Sequence, residues 1–281
     1  MNNKKFETII TSQKNGILSS VREIFKYKFL LFMLVKRDFV VFYKQTILGP
    51  LWYIIQPLIN TIVFTVVFGN IAKISTDGIP PFLFYMSGNI IWNYFAICVV
   101  NSSNTFTNNI NIFNKVYFPR LIVPISVAII SILQFIIQLI FFSFFYIYYL
   151  YLGMTIDLNM YIFFIPVLLL FIAITSLGIG ALLSSLTVKY KDLVFLINFG
   201  IQLWMFATPI IYPISLIPDK YKLLYSINPM SSVVEIFRYT LFSENLIEFN
   251  YIAVSFISGI IITLIGLKMF ISVEKNFVDT V

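Results

Sequence analysis

Histidine is absent from this chain, cysteine occurs once, and only 11% of its 281 residues are charged. A proton- or ion-driven pump needs titratable groups at membrane depth. This chain has no histidine, and no carboxylate or base inside its long apolar runs, which argues against that class. Cys98 alone forms no internal disulfide, and no Cys/His cluster offers a metal site. No G-x-x-x-x-G-K-[ST] segment is present, so the chain has no phosphate loop of its own for ATP. Asp and Glu lie scattered in loops, which gives little support to a paired-carboxylate site. No basic domain exists to hold nucleic acid, although the net charge is +7.

What is present is apolar: 59% of the residues are hydrophobic. Six stretches carry no charge at all, between Lys44 and Lys73, Asp77 and Lys115, Arg120 and Asp157, Asp157 and Lys189, Asp192 and Asp219, and Glu248 and Lys268. Each has room for a helix of ~20 residues, the length that crosses a bilayer, and a lone segment in lipid satisfies its backbone only as a helix. The reading is an all-α integral membrane protein. It has six transmembrane helices, an N-terminal amphipathic interface helix and short external re-entrant helices.

Residues 1–16 are polar and read as a flexible N-terminus, with no signal-peptide core directly behind them. Residues 17–48 hold a charged helical pattern whose apolar run, Phe29 to Val35, is too short to span; a helix in the cytoplasmic interface is the simplest account. The six-helix region covers 49–272 and a cytoplasmic tail 273–281. Within it, 108–118 reads as a cytoplasmic helix of two or three turns. The external segment 210–248 is too apolar for a free loop and is broken by Pro213, Pro218 and Pro229. Two short re-entrant helices account for it, which lipid permits only against protein or a cavity. With the N-terminus inside, fifteen of the nineteen Lys and Arg fall on the cytoplasmic side; Lys73, Lys220, Lys222 and Arg238 fall outside. The positive-inside rule supports that orientation. Small residues at Ser176, Gly180 and Ser184 in the fourth span allow close helix approach, within one subunit or at a dimer seam.

Several segments together resemble the membrane subunit of ATP-binding-cassette polysaccharide exporters of the O-antigen, capsule and teichoic-acid type. These are Arg37-Asp38, Tyr43-Lys44-Gln45-Thr46, Leu48-Gly49-Pro50-Leu51-Trp52 and Gln56-Pro57. They continue with Lys115 to Leu121 and Pro124, Val188 to Asp192, Gln202, Pro209 and Tyr212-Pro213, then Asn228-Pro229-Met230, Phe237-Arg238 and Glu274 to Asp279. The resemblance runs in order over about 30–281. Gln134 stands where the family usually has aspartate, and Asn198 where it usually has proline.

The resemblance implies a homodimer with two cognate ATPase subunits that bind the ATP, this chain being no enzyme and holding no cofactor. It implies a lipid-linked glycan or teichoic acid moving out across the bacterial cytoplasmic membrane, with both termini cytoplasmic. It assigns ATPase coupling to Asn111, Asn114, Lys115, Tyr117 and Arg120, and a second contact to Lys189, Lys191 and Asp192, for which ordinary topology-fixing charge is an equal account. Arg37 and Lys44 suit the phosphate groups of a lipid carrier and equally the headgroups of ordinary anionic lipid. Trp52, Tyr53, Gln56, Trp204 and Tyr212 are pathway candidates, interfacial anchoring being the usual role of Trp and Tyr. Glu235 and Arg238 share a helix face and pair with each other, across an external gate, or as a headgroup-level salt bridge. The alternatives in function are an exporter of a drug or small lipid, a membrane glycosyltransferase or polymerase, and an ion-coupled flippase.

Overall fold

A computed structural model describes residues 23–44, 49–113, 115–116, 118–154, 160–243 and 248–280. These residues form eleven α-helices and no strand. Helix α1 is Lys28–Lys44, α2 Trp52–Phe64, α3 Pro81–Ser103, α4 Thr105–Asn108 and α5 Ile110–Phe113. Then follow α6 Ile122–Tyr151, α7 Ile165–Thr187, α8 Leu193–Phe206, α9 Asp219–Ser226, α10 Pro229–Phe242 and α11 Phe249–Thr280. Short 3-10 turns cover Gly49–Leu51, Met160–Phe164 and Ile214–Leu216, and α2 continues as a π-helix over Thr65–Ile71.

Five segments are long and apolar enough to cross a membrane: Trp52–Ile71, Pro81–Ser103, Ile122–Tyr151, Met160–Thr187 and Phe249–Glu274. They coincide with five of the six charge-free runs. The remaining run holds α8, whose 14 residues reach only about 21 Å at 1.5 Å per residue. Its end has a local cause: Thr208 donates its hydroxyl to the Trp204 carbonyl at 3.0 Å, and Pro209 has no N–H to continue the ladder.

Helix α3 is the centre of the bundle. Its apolar window is 78% buried, against 11% for α2. It packs on α6 and α7, and α7 packs along α11. The core between them includes Phe84, Tyr85, Ile90, Phe95, Cys98 and Ile172. The small residues of α7 make these approaches possible. A Cβ on Gly180 would overlap Ser102 of α3, and one on Gly178 would overlap Thr263 of α11. Of the two seams open to the stripe in the sequence, the one inside the subunit is therefore the one it forms.

A second, smaller core gathers Phe106, Phe113, Phe118, Leu121 and Phe270 with Ile24 and Leu34 at the end of the bundle that carries Arg120. The polar stretch before Arg120 differs in detail from a two- or three-turn helix over 108–118. It begins at Thr105 and breaks into two single turns at Asn109 (φ −116°, ψ 15°). There the Asn109 side chain donates to the Thr105 carbonyl at 2.9 Å, the local competition with backbone bonds that asparagine offers.

At the opposite end, which carries Asp77, residues 210–242 fold back on the bundle rather than leaving it. Ile210, Ile211, Val233, Val234 and Phe237 are all buried within the same subunit. Two short helices lie here. Asn228 caps α10 by accepting from the Met230 N–H at 3.1 Å, Pro229 takes its first turn, and Ser243 ends it in a left-handed conformation (φ 54°).

Candidate functional site

Helices α1, α2, α3 and α6 line an open cleft of about 740 Å³ whose walls include Arg37 and Asp38. A second space of about 260 Å³, bounded also by α8, adjoins it and shares Gln56, Ile97, Asn101 and Gln134. Helical periodicity builds the walls. Asn93, Ile97 and Asn101 follow one another at i, i+4 and i+8 on α3, and Trp52, Tyr53 and Gln56 lie on one side of α2. Gly49, with φ 51°, turns the chain into α2, a conformation that costs glycine nothing.

The charge lining this space comes from α1 alone. Among the described residues, Arg37 and Asp38 are the only charged ones lining the larger part, and the smaller part has none. The two pair with each other, Arg37 Nε to Asp38 Oδ1 at 2.7 Å. The smaller part is rich in carboxamides: Gln56, Asn93, Asn101, Gln134, Asn198 and Gln202. Sequence reasoning singled out only Gln56 here as a pathway residue. The signal it passed over is asparagine and glutamine recurring inside apolar spans, which the abundance of asparagine along the whole chain masks. Both departures from the family pattern, Gln134 and Asn198, line this space.

The remaining candidates fall elsewhere. Trp204 stacks edge-on against Phe95 with ring centroids 5.4 Å apart, on the apolar groove between α7 and α8. Tyr212 donates to the Phe206 carbonyl and accepts from the Tyr225 hydroxyl, each at 3.0 Å. Lys44, Lys115, Lys189, Lys191 and Asp192 are exposed, Lys44 without lining the cleft. The side chain of Asn111, and Asn114 and Tyr117 altogether, lie outside the described residues. On α9, Lys222 donates to Asp219 at 2.7 Å and holds that carboxyl below the usual carboxylate range.

Arg120 belongs to the interior. Only 8% exposed, it sits 5.9 Å from the Phe106 ring and 5.4 Å from the Phe113 ring. Its backbone N–H donates to Glu274 Oε1 at 2.7 Å, and its guanidinium donates to the Glu274 carbonyl oxygen at 2.9 Å. The carboxylate serves the start of α6 while the guanidinium serves a carbonyl of α11. Arg120 thus enters the coupling reading as a clamp between two helices, not as an exposed contact. Removing the Glu274 side chain leaves a partly buried N–H without that acceptor, a loss of ~1–3 kcal/mol. Glu274→Ala is expected to speed amide hydrogen exchange across residues 118–124, with Lys189→Ala as an exposed control that leaves it unchanged. Equal exchange in Glu274→Ala and the unaltered protein would refute the clamp.

Arg238 is likewise enclosed, at 3% exposure. Its guanidinium donates to the carbonyls of Pro209, Ile210 (3.0 Å) and Phe84 (3.3 Å), faces the Phe84 ring at 3.6 Å, and pairs with Glu235 at 3.3 Å. Gly88 makes the room: a Cβ there would stand 3.0 Å from Arg238 Nη2. Of the pairings open in the sequence, the one within the subunit is made.

The family model described as ABC-2 type transporter matches residues 30–242, from α1 through the end of α10. The chain belongs to the ABC-2 type transporter family. Two Klebsiella pneumoniae proteins, each named O-antigen export system permease protein RfbA, are 29% identical to this ABC-2 chain over 250 and 251 residues. Each alignment covers 89% of this chain and 94% of the relative. A protein of the same name from Myxococcus xanthus is 26% identical over 230 residues, 80% of this chain and 85% of its own. The match includes the cleft and the Arg238 cluster and stops before Glu274. With its five long apolar helices, this ABC-2 chain is a multi-pass membrane permease component.

Proposed function

We propose that this ABC-2 permease is the transmembrane subunit of an ATP-driven exporter that moves a lipid-linked polysaccharide from the cytoplasm across the inner or plasma membrane. The observation that carries the reading is the amide-lined cleft in a chain whose relatives are named O-antigen export permeases. The Arg120 end faces the cytoplasm in this reading, as the charge balance supports. There Lys115, Lys189, Lys191 and Asp192 meet the ATPase, which binds the ATP. Two copies of the permease and two ATPase subunits form the exporter. The low burial of α2, beside the cleft, suits closure by a second copy. Helix α8, too short at about 21 Å to cross alone, makes the sixth crossing together with the segment that follows it, and α9 with α10 form the re-entrant cap over the outer end. Arg37 and Lys44 stand where a lipid carrier's phosphates would arrive.

The test is co-purification with the ATPase of the same gene cluster. The expected result is an equimolar complex that hydrolyses ATP, while the isolated permease hydrolyses none. Deleting the permease gene is expected to abolish surface polysaccharide. Hydrolysis by the permease alone, or failure to capture the ATPase, would overturn the reading.

A further inference from the structure

We propose that the smaller, carboxamide-lined part of the cleft is a subsite for uncharged, hydroxyl-rich sugar residues, and that it discriminates against glycans carrying a negative charge in each repeat. The inference rests on the exporter reading and narrows its substrate class. Its elements are the carboxamides of Gln56, Asn93, Asn101, Gln134, Asn198 and Gln202, drawn from α2, α3, α6 and α8 to one space.

Two independent observations support a ligand here. The first is that these groups are unused. The side chains of Gln56, Asn101, Gln134 and Gln202 make no hydrogen bond to any described residue. Asn93 Nδ2 is buried and has no partner among them. Asn198 uses one N–H on the Val194 carbonyl at 3.0 Å. Gln56, Asn101, Asn198 and Gln202 are exposed, Gln134 is half-buried and Asn93 Nδ2 is buried. Polar side chains facing one open space within apolar spans are costly without a partner, and their hydrogen bonds are free for a ligand that enters it. The second observation is the absence of charge. Among the described residues, no Lys, Arg, Asp or Glu lines the smaller space. The charged pair on α1 neutralises itself.

The chemistry then follows from the groups themselves. A carboxamide offers two donors and an acceptor oxygen. A sugar hydroxyl both donates and accepts, so it pairs with a carboxamide in either sense and can exchange one for the next. Such neutral bonds are weaker than charge-assisted ones, which suits a polymer that must move on rather than stay. A phosphodiester or uronate in each repeat would enter this space without a counter-charge, at a cost that membrane depth raises.

The test uses the permease–ATPase complex in nanodiscs with two labelled probes of equal length, neutral maltoheptaose and anionic hepta-galacturonate. Fluorescence anisotropy is expected to give at least about tenfold tighter binding of the neutral probe. Gln134→Leu and Asn101→Leu are each expected to weaken that probe about three- to tenfold, the loss of one neutral hydrogen bond. Gln134→Lys is expected to bring the two affinities together or reverse them, and it keeps a polar group at the position should a leucine variant fail to fold. Equal or tighter binding of the anionic probe, no binding of either, or leucine variants that bind as the unaltered complex does would each overturn the subsite. A complex that assembles, hydrolyses ATP and exports its glycan while giving any of those results would leave the exporter reading standing. Failure to assemble with the ATPase, with the probe preference retained by the permease alone, would remove the exporter and leave the subsite.

Discussion

Arg238→Met is expected to destabilise the Asp77 end of the bundle by ~3–5 kcal/mol, the usual consequence of removing one partner of a buried, hydrogen-bonded ion pair. The guanidinium joins three parts of the chain that are distant in sequence. It holds the Phe84 carbonyl of α3, the Pro209 and Ile210 carbonyls that follow α8, and Glu235 of its own helix. Methionine fills much of the volume but leaves those carbonyls without a donor and a carboxylate, 11% exposed, without its cation. The short helices α9 and α10 then lose their fixed position over α3.

The change is expected as a clear fall in the thermal midpoint of the detergent-solubilised protein. A second readout is labelling of Ile214→Cys by a membrane-impermeant thiol reagent, with buried Cys98 replaced; it should become faster. Glu235→Gln combined with Arg238→Met should recover part of the loss, because the unpaired carboxylate is then gone. Arg238→Lys should fall between, since an ammonium keeps the charge but lacks the planar fork that serves several carbonyls at once. A midpoint for Arg238→Met equal to that of the unaltered protein would show that the cluster contributes nothing to stability.

How far the sequence carries this picture depends on the kind of contact. Five of the six charge-free runs each hold one long apolar helix, because lipid permits so little variety in backbone structure. The resemblance read from segments such as Lys115 to Leu121 agrees with the family match over 30–242. The end of α8 at Phe206 falls two residues before Thr208-Pro209, the break visible in the sequence, and the Thr208 hydroxyl on the Trp204 carbonyl completes the stop. The resemblance assigned Arg120 to ATPase coupling, and nothing in the sequence pointed to a partner inside the chain. Its partner Glu274 lies 154 residues away, and one of its two bonds goes to a backbone atom that no side-chain pattern betrays. The cleft was hidden for a related reason. Asn93, Asn101, Gln134, Asn198 and Gln202 sit in three different charge-free runs, one or two to each, and only the packing of α3, α6 and α8 brings them to one space.

The seam between α7 and α11 supplies the other large effect. Gly178 and Gly266 bring the two backbones into direct contact, and a Cβ on Gly266 would overlap the Gly178 carbonyl. Gly266→Val therefore has no rotamer that avoids the clash; the obstacle is backbone, so the helices themselves must separate. Overpacking of a flexible core costs ~1–3 kcal/mol, and a rigid backbone contact should lie at or above the upper end of that range. The displacement would travel along one face of α11, because Gly266, Phe270 and Glu274 follow at i, i+4 and i+8. Phe270 stacks on Phe106 with ring centroids 4.8 Å apart, and Glu274 holds Arg120. Gly266→Val is thus expected to lower the yield of monodisperse protein sharply and to raise hydrogen exchange at residues 118–124, far from the substitution. Gly266→Ala should show the same pattern more weakly. Gly200→Ala is the matched control, since no described atom lies within 4 Å of a Cβ there; it should be neutral or stabilising by ~0.5–1 kcal/mol, as removal of an unneeded helical glycine is. If Gly266→Val proved as stable as Gly200→Ala, the α7–α11 contact would be looser than its geometry requires, and the small residues of α7 would need another partner.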